Sequence, residues 1–269
     1  MPAAELRALI ETRVEERLGG RFPAALGWRP RPAAPTVPTG ITEVDALIGG
    51  LPRGALTEVC GPGSSGRTAL LLSLLGEFTR RQELCVLVDA GDSFDPASAA
   101  AAGVDLGRVL WVRCSGSHSR FRRGTTLVVP KAGFHRPGAL APEGKTAAIE
   151  QALRAADLVL QAGGFGLVAL DLGDVPATTA RRVPLTSWFR FRRAVEETPA
   201  ALLLLTQEAL TGTCAALTLQ LAATAPTEPP KLPAHARRLG GFSVAVEVAR
   251  SALARRPGSG KKTAFTTDL

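Results

Sequence analysis

Short apolar runs and stretches of helical periodicity alternate along most of the chain. The runs ALTEVC (55–60), LCVLVDA (84–90), VLWVRC (109–114), FGLVALD (165–171) and AALLLLTQ (200–207) read as strands. Helical spacing predicts helices at 66–80, 96–102, about 146–162 and about 184–197, and two further strands at 214–222 and 241–249. Strands rich in Val and Leu are apolar on both faces, which is what a sheet covered by helices on each side requires. Their alternation with helices predicts an α/β fold with a mostly parallel sheet flanked by helices.

Other segments break that rhythm. Residues 3–18 place Leu6, Leu9, Ile10, Val14 and Leu18 at helical spacing, and 27–40 form a Pro- and Gly-rich connector. An apolar stripe of this kind buries itself either on a neighbouring protomer or on its own domain. The expected organisation is a helix and connector over 1–35, a core over 36–257 and a flexible tail over 258–269. Residues 115–145, 223–240 and 255–269 read as loops, the first carrying Arg120, Arg122, Arg123, Lys131, Arg136 and Lys145 against one acid, Glu143.

Composition narrows the function classes. The longest apolar runs are far too short to span a bilayer. The N-terminus mixes acids among its apolar residues, unlike a signal or transit peptide, so a cytoplasmic protein is expected. Cys60, Cys85, Cys114 and Cys214 show no paired spacing and read as buried reduced thiols. His118 and His135 have no Cys or acid at ligand spacing, which leaves no metal site beyond a nucleotide-linked Mg²⁺. The net charge is +8, and 27 of the 32 basic residues are arginines. An arginine excess suits a polyanionic partner, although a GC-rich genome produces the same bias.

The densest chemistry lies in CGPGSSGRTALLL, Cys60 to Leu72. Gly61, Gly66 and Thr68 match a phosphate-cradling loop, with Arg67 where that motif has Lys. Between a strand and a helix, such a turn points backbone N–H groups at a phosphate, so Gly61, Gly63, Ser64, Ser65, Gly66, Arg67 and Thr68 are the candidate nucleotide contacts. Asp171, at the tip of FGLVALD, is placed to hold a Mg²⁺-bound water opposite Thr68. The plainer readings are a permissive strand-to-helix turn and an Asp that merely ends a strand.

TGITEVDALIGGLPRGALTEVCGPGSSGRTALLLSLL, LCVLVDAGDSFDPASAAAAGVDLGRVLWVRC and FGLVALD together resemble the RecA recombinase core in order and spacing. The resemblance implies a RecA-like nucleoside-triphosphatase core that takes ATP with Mg²⁺. It also implies a phosphate-sensing role for Gln207 and a reach of Arg250 toward a neighbouring subunit's nucleotide. Protomer docking through the N-terminal helix follows in the same way. The altered loop and LWVRC are similar to RecA-like accessory proteins of the ImuA type, associated with damage-induced mutagenesis.

Departures from the pattern bear on activity. Arg67 replaces a compact ammonium by a planar guanidinium. Gly91 stands where the family has a water-positioning Glu, with Asp92 beside it as the alternative base. Ser98 stands where a Tyr stacks on adenine, and the chain contains no Tyr. Only EALTGT follows Gln207 before the next strand, in place of a long DNA-inserting loop. The earlier DNA loop survives in ATTARRVPLTSWFRFRRAV, so Arg181, Arg182, Arg190, Arg192 and Arg193, with Arg122 and Arg123, are candidates for single-stranded DNA, and Trp188 for base stacking. The alternative is a helix with Trp188 packed inward and its arginines in water. The expected function is a RecA-like protein of DNA repair, recombination or the damage-induced (SOS) response, with a degenerate loop and little ATPase activity. Its partners would be DNA, RecA or a translesion polymerase. A working ATP-dependent recombinase and an adaptor that never touches nucleotide remain the alternatives.

Overall fold

The computed structural model describes residues 35–114, 126–128, 145–196, 198–226, 241–253 and 260–268, all within a compact unit spanning Ala34–Leu269. The helix expected at 3–18, most of the connector and of the 115–145 insert, Arg122, Arg123 and residues 227–240 lie outside the described residues. A two-strand pairing of β1 (Thr36–Val37) with β2 (Leu51–Pro52) encloses α1 (Thr42–Ile48). The chain continues through β3 (Ala55–Cys60), α2 (Arg67–Arg80), β4 (Cys85–Asp89), α3 (Pro96–Ala101), β5 (Val109–Arg113) and β6 (Thr126–Val128). It then forms α4 (Lys145–Ala162), β7 (Leu167–Asp171), α5 (Ala177–Ala180), α6 (Leu185–Val195), β8 (Ala201–Thr206), β9 (Leu217–Pro226), β10 (Gly241–Ser251) and β11 (Lys262–Asp268).

Nine strands form one sheet in the order β11-β10-β9-β3-β8-β7-β4-β5-β6. From β9 to β6 every pairing is parallel, and β10 and β11 add antiparallel pairings at one edge. The mostly parallel α/β expectation therefore holds. Alternation along β8 sends Leu203 and Leu205 to a core shared with α1 and α2, and Leu202 and Leu204 to a second core shared with α4 and α6. Because β8 and β7 lie between β3 and β4, the tips of β3, β8, β7 and β4 come together at one edge of the sheet. That edge is where ligands of open α/β sheets bind.

Two expectations are corrected. Residues 258–269, expected as a flexible tail, contain β11, which pairs with β10 and packs against α1 with Phe265 only 4% exposed. KTAFTTD alternates with a period of two but is carried by threonines, so it lacks the apolar run that marks the other strands. The stretch 115–145, expected as loop throughout, contributes β6 and the first residue of α4. All four cysteines are free and buried, and burial pushes the Cys60, Cys85 and Cys114 thiols up to about 12, so they remain protonated and inert. No helix of the described residues is long and apolar enough to cross a membrane.

Candidate functional site

The glycines of the loop answer to specific contacts. A Cβ at Gly61 would collide with the Leu221 carbonyl and stand 2.6 Å from Ser65 Oγ. Gly66 has φ +89°, and its Cβ would press on the Val244 methyl at 2.5 Å. Both positions therefore need glycine. Gly63 faces open space, and Pro62, Gly63 and Ser64 form the exposed lip. Ser65 is buried, and its Oγ has no hydrogen-bond partner. No side chain caps α2 and no acid stands in its first turn, so the N-terminal amides keep their capacity for an anion.

Arg67, the first residue of α2, turns across the edge of the sheet. Its Nη1 donates to the Thr206 carbonyl at 3.0 Å and its Nη2 to the Gly173 carbonyl at 3.3 Å. Its Nε is buried without a partner. Gln207 Nε2 donates to the same Gly173 carbonyl at 3.0 Å. Asp171, at the tip of β7, accepts the Gly173 N–H at 2.7 Å. Burial pushes its carboxyl up to about 6, opposed by the Gly173 hydrogen bond and Arg67 and assisted by Asp89 and Asp174. Arg67, Asp171 and Gln207 are thus brought together, with Gly173 as their common partner. Thr68 is exposed, and among the described residues no group of three or more His, Cys, Asp or Glu could hold a metal.

The neighbouring tip, after β4, holds the other departures. Asp89 is fully buried and accepts the N–H groups of Gly91 and Phe94, each at 3.0 Å, and Trp111 Nε1 at 3.3 Å. At Gly91 a Cβ would stand 2.8 Å from the Asp174 Cβ. Asp92, with φ 58°, is gripped by Arg113 through two parallel contacts, Nε to Oδ1 at 2.5 Å and Nη2 to Oδ2. The Arg113 guanidinium in turn lies 4.7 Å from the Trp111 ring centroid. Ser98 donates to Asp95 Oδ2 at 2.6 Å, and Asp95 caps α3.

Beyond β8 a residue absent from the sequence-based list takes control. Glu58, fully buried in β3, accepts from Leu210 N and Thr211 Oγ1, each at 2.6 Å, and from Thr211 N at 3.3 Å and Thr206 Oγ1 at 3.4 Å. The signal available was an acid inside the apolar run ALTEVC. Arg250 bonds the Gly212 and Ala215 carbonyls of its own chain.

Trp188 and Phe191 are each 1% exposed, pack edge to face at 6.0 Å and belong to the core, whereas Phe189 is 47% exposed. Three of the candidate DNA arginines face acids of their own chain: Arg181 pairs with Glu208, Arg190 with Asp157 at 3.0 Å, and Arg192 with Glu196 at 3.3 Å. Arg182 and Arg193 are exposed, and no described acid forms an ion pair with either.

Residues 7–117 match the family model of the RecA N-terminal domain. The core is RecA-like in fold. It is similar to protein RecA of Marinobacter nauticus, 37% identical over 101 residues, which is 37% of this chain and 29% of that relative. It is also similar to protein RecA of Rickettsia bellii, 29% identical over 160 residues, 59% of this chain and 37% of that relative. The chain therefore spans about a third of the length of these RecA proteins. The crystal structure of the RadB recombinase shares the fold at a TM-score of 0.55 and 16% identity, covering 86% of this chain and 95% of that one.

Proposed function

We propose that this RecA-like chain acts in DNA recombination or repair, as an accessory of the damage-induced (SOS) response, with a phosphate loop that supports little hydrolysis. The observation that carries the reading is the state of the two positions able to activate water. Gly91 offers no carboxylate and is crowded by Asp174, and both oxygens of Asp92 are committed to Arg113. Without a base to orient water, phosphoryl transfer loses its positioning.

The Gly loop suits a polyphosphate, because its backbone cradle and the uncapped helix terminus remain. Mg²⁺ fits less well. Asp171 already accepts the Gly173 N–H, and the Arg67 guanidinium supplies the positive charge beside it. ATP binding in this reading is weak and rests on Gly61, Gly63, Ser64, Ser65, Gly66 and Thr68. Single-stranded DNA would meet Arg182, Arg193 and the exposed Phe189, with Arg122 and Arg123 from the insert. The N-terminal segment would mediate self-association, in a cytoplasmic setting that suits the four reduced thiols. RecA or a translesion polymerase is the proposed protein partner.

A pure adaptor that binds no nucleotide is the second reading, favoured by the inward turn of Arg67 onto two carbonyls. Nucleotide binding and hydrolysis by the purified chain, with and without single-stranded DNA, separates these readings. Weak binding with slow, DNA-insensitive turnover supports the first and undetectable binding the second. DNA-stimulated turnover on the order of one per second or more overturns both.

A further inference from the structure

Two strand tips and the Gly loop meet at one guanidinium. Arg67 starts the helix that follows the loop and bonds the carbonyl ending β8, Thr206, and the carbonyl just beyond β7, Gly173. Gln207 closes the ring by donating to that same Gly173 carbonyl. Directly beneath, Glu58 of β3 holds Thr206, Leu210 and Thr211. Residues 206–211 are therefore clamped from two sides.

The upper clamp is held less firmly than the lower one. A cation in the first turn of a helix opposes the helix dipole. The Arg67 guanidinium spends two donors on neutral carbonyls, and its buried Nε donates to nothing, which carries a cost. A polyphosphate in the loop would offer the same guanidinium a charge-assisted, two-pronged partner, with bonds roughly twice as strong as neutral ones. The two carbonyls take two of its five N–H donors, so an anion competes with them for the position of the group and not for its last donor.

We propose that Arg67 is a latch that fixes segment 206–211 while the Gly loop is empty, and that a polyphosphate anion in the loop opens it by drawing the guanidinium away from Thr206 and Gly173. Occupancy of the loop and order in this segment then oppose each other. Reciprocity requires that loosening the segment strengthen anion binding. The latch deepens the reading of the Gly loop as an anion cradle and rests on it.

Hydrogen exchange of the full chain, followed by mass spectrometry with and without tripolyphosphate, tests this. Arg67→Ala should speed exchange several-fold in peptides covering 172–174 and 206–214 and leave β10 and β11 unchanged. Tripolyphosphate should produce the same change in the wild-type chain and none in Arg67→Ala. Arg67→Lys keeps the charge but loses the two-pronged reach, so it should exchange faster than wild type, and it serves as the test if the alanine variant fails to fold. Gln207→Ala should bind tripolyphosphate more tightly than wild type. Unaltered protection in a folded Arg67 variant overturns the latch, as does a wild-type chain in which tripolyphosphate leaves exchange unchanged or slows it. Failure here is distinguishable from failure of the functional reading: brisk ATP hydrolysis would break that reading and leave the exchange result standing.

Discussion

Gly91 and Asp174 approach so closely that a Cβ on Gly91 would stand 2.8 Å from the Asp174 Cβ and 3.0 Å from Oδ2. Position 91 carries no carboxylate and has no room for one. Gly91→Glu alone, or with Arg67→Lys, should therefore fail to raise hydrolysis, since the new side chain meets Asp174 sterically and by like charge. Adding Asp174→Gly removes both obstacles. The triple variant should exceed wild type by about a hundredfold in single-turnover ATP hydrolysis, the scale of a positioned general base. Equal rates for the double and triple variants would show that Asp174 is not what blocks position 91.

Asp171 gives the fold a pH dependence of defined sign. Its carboxyl titrates near 6 in the folded chain against an ordinary value of 3.8, so the native state holds a proton that the unfolded state releases. Between about 4 and 6 stability should fall as pH rises, by at most about 3 kcal/mol at 1.36 kcal/mol per unit, and then level off above that window. Arg67 pulls this carboxyl down, so Arg67→Ala should move its titration higher still. Urea unfolding as a function of pH, with Asp171→Asn as the control lacking that slope, checks both statements.

The arginines between 181 and 193 differ in availability, and DNA binding should reflect it. Arg182 and Arg193 have no described ion-pair partner, whereas Arg181, Arg190 and Arg192 each face a carboxylate of their own chain. Replacing Arg182 and Arg193 with Ala should flatten the salt dependence of single-strand binding by about 0.7 per residue. Replacing Arg190 and Arg192 should change it less. Because Trp188 is 1% exposed and packed on Phe191, a variant with Trp188 as its sole tryptophan should show no quenching on oligonucleotide addition. Trp188→Ala should cost about 3–5 kcal/mol of stability through the cavity it leaves.

How far the fold and the site could be read from the chain depended on the range of the interactions. LVALD and ALLLLT declare buried parallel strands because each is apolar on both faces. The Gly loop is legible because its constraints are local. Helix α1 escapes notice because TEVDALI buries only Val44 and Ile48, too short a pattern to stand out. The orientation of Arg67 could not be read at all: its carbonyl partners lie 139 and 106 residues away in sequence. The partners of Glu58 are equally remote, at 148 to 153 residues. An acid in a strand announces that something must satisfy it, but only the sheet order brings Thr206, Leu210 and Thr211 to it.

Glu58 offers the sharpest test of that remote network. Both of its oxygens are engaged by donors, and no described cation forms an ion pair with it, so its worth lies in satisfying buried N–H and O–H groups. Glu58→Gln keeps the volume but replaces one acceptor oxygen with a donor that faces another donor, Leu210 N or Thr211 N. It should cost about 1–3 kcal/mol, the penalty for a buried group left unsatisfied. Thr211→Val removes one donor and leaves the remaining bonds intact, so it should cost less. The order should read the same in exchange: amides of Leu210 and Thr211 should lose protection in Glu58→Gln while those of β10 keep it. A Glu58→Gln chain as stable as wild type, with those two amides still protected, would mean the segment is held by other contacts and that the buried carboxylate does not fix it.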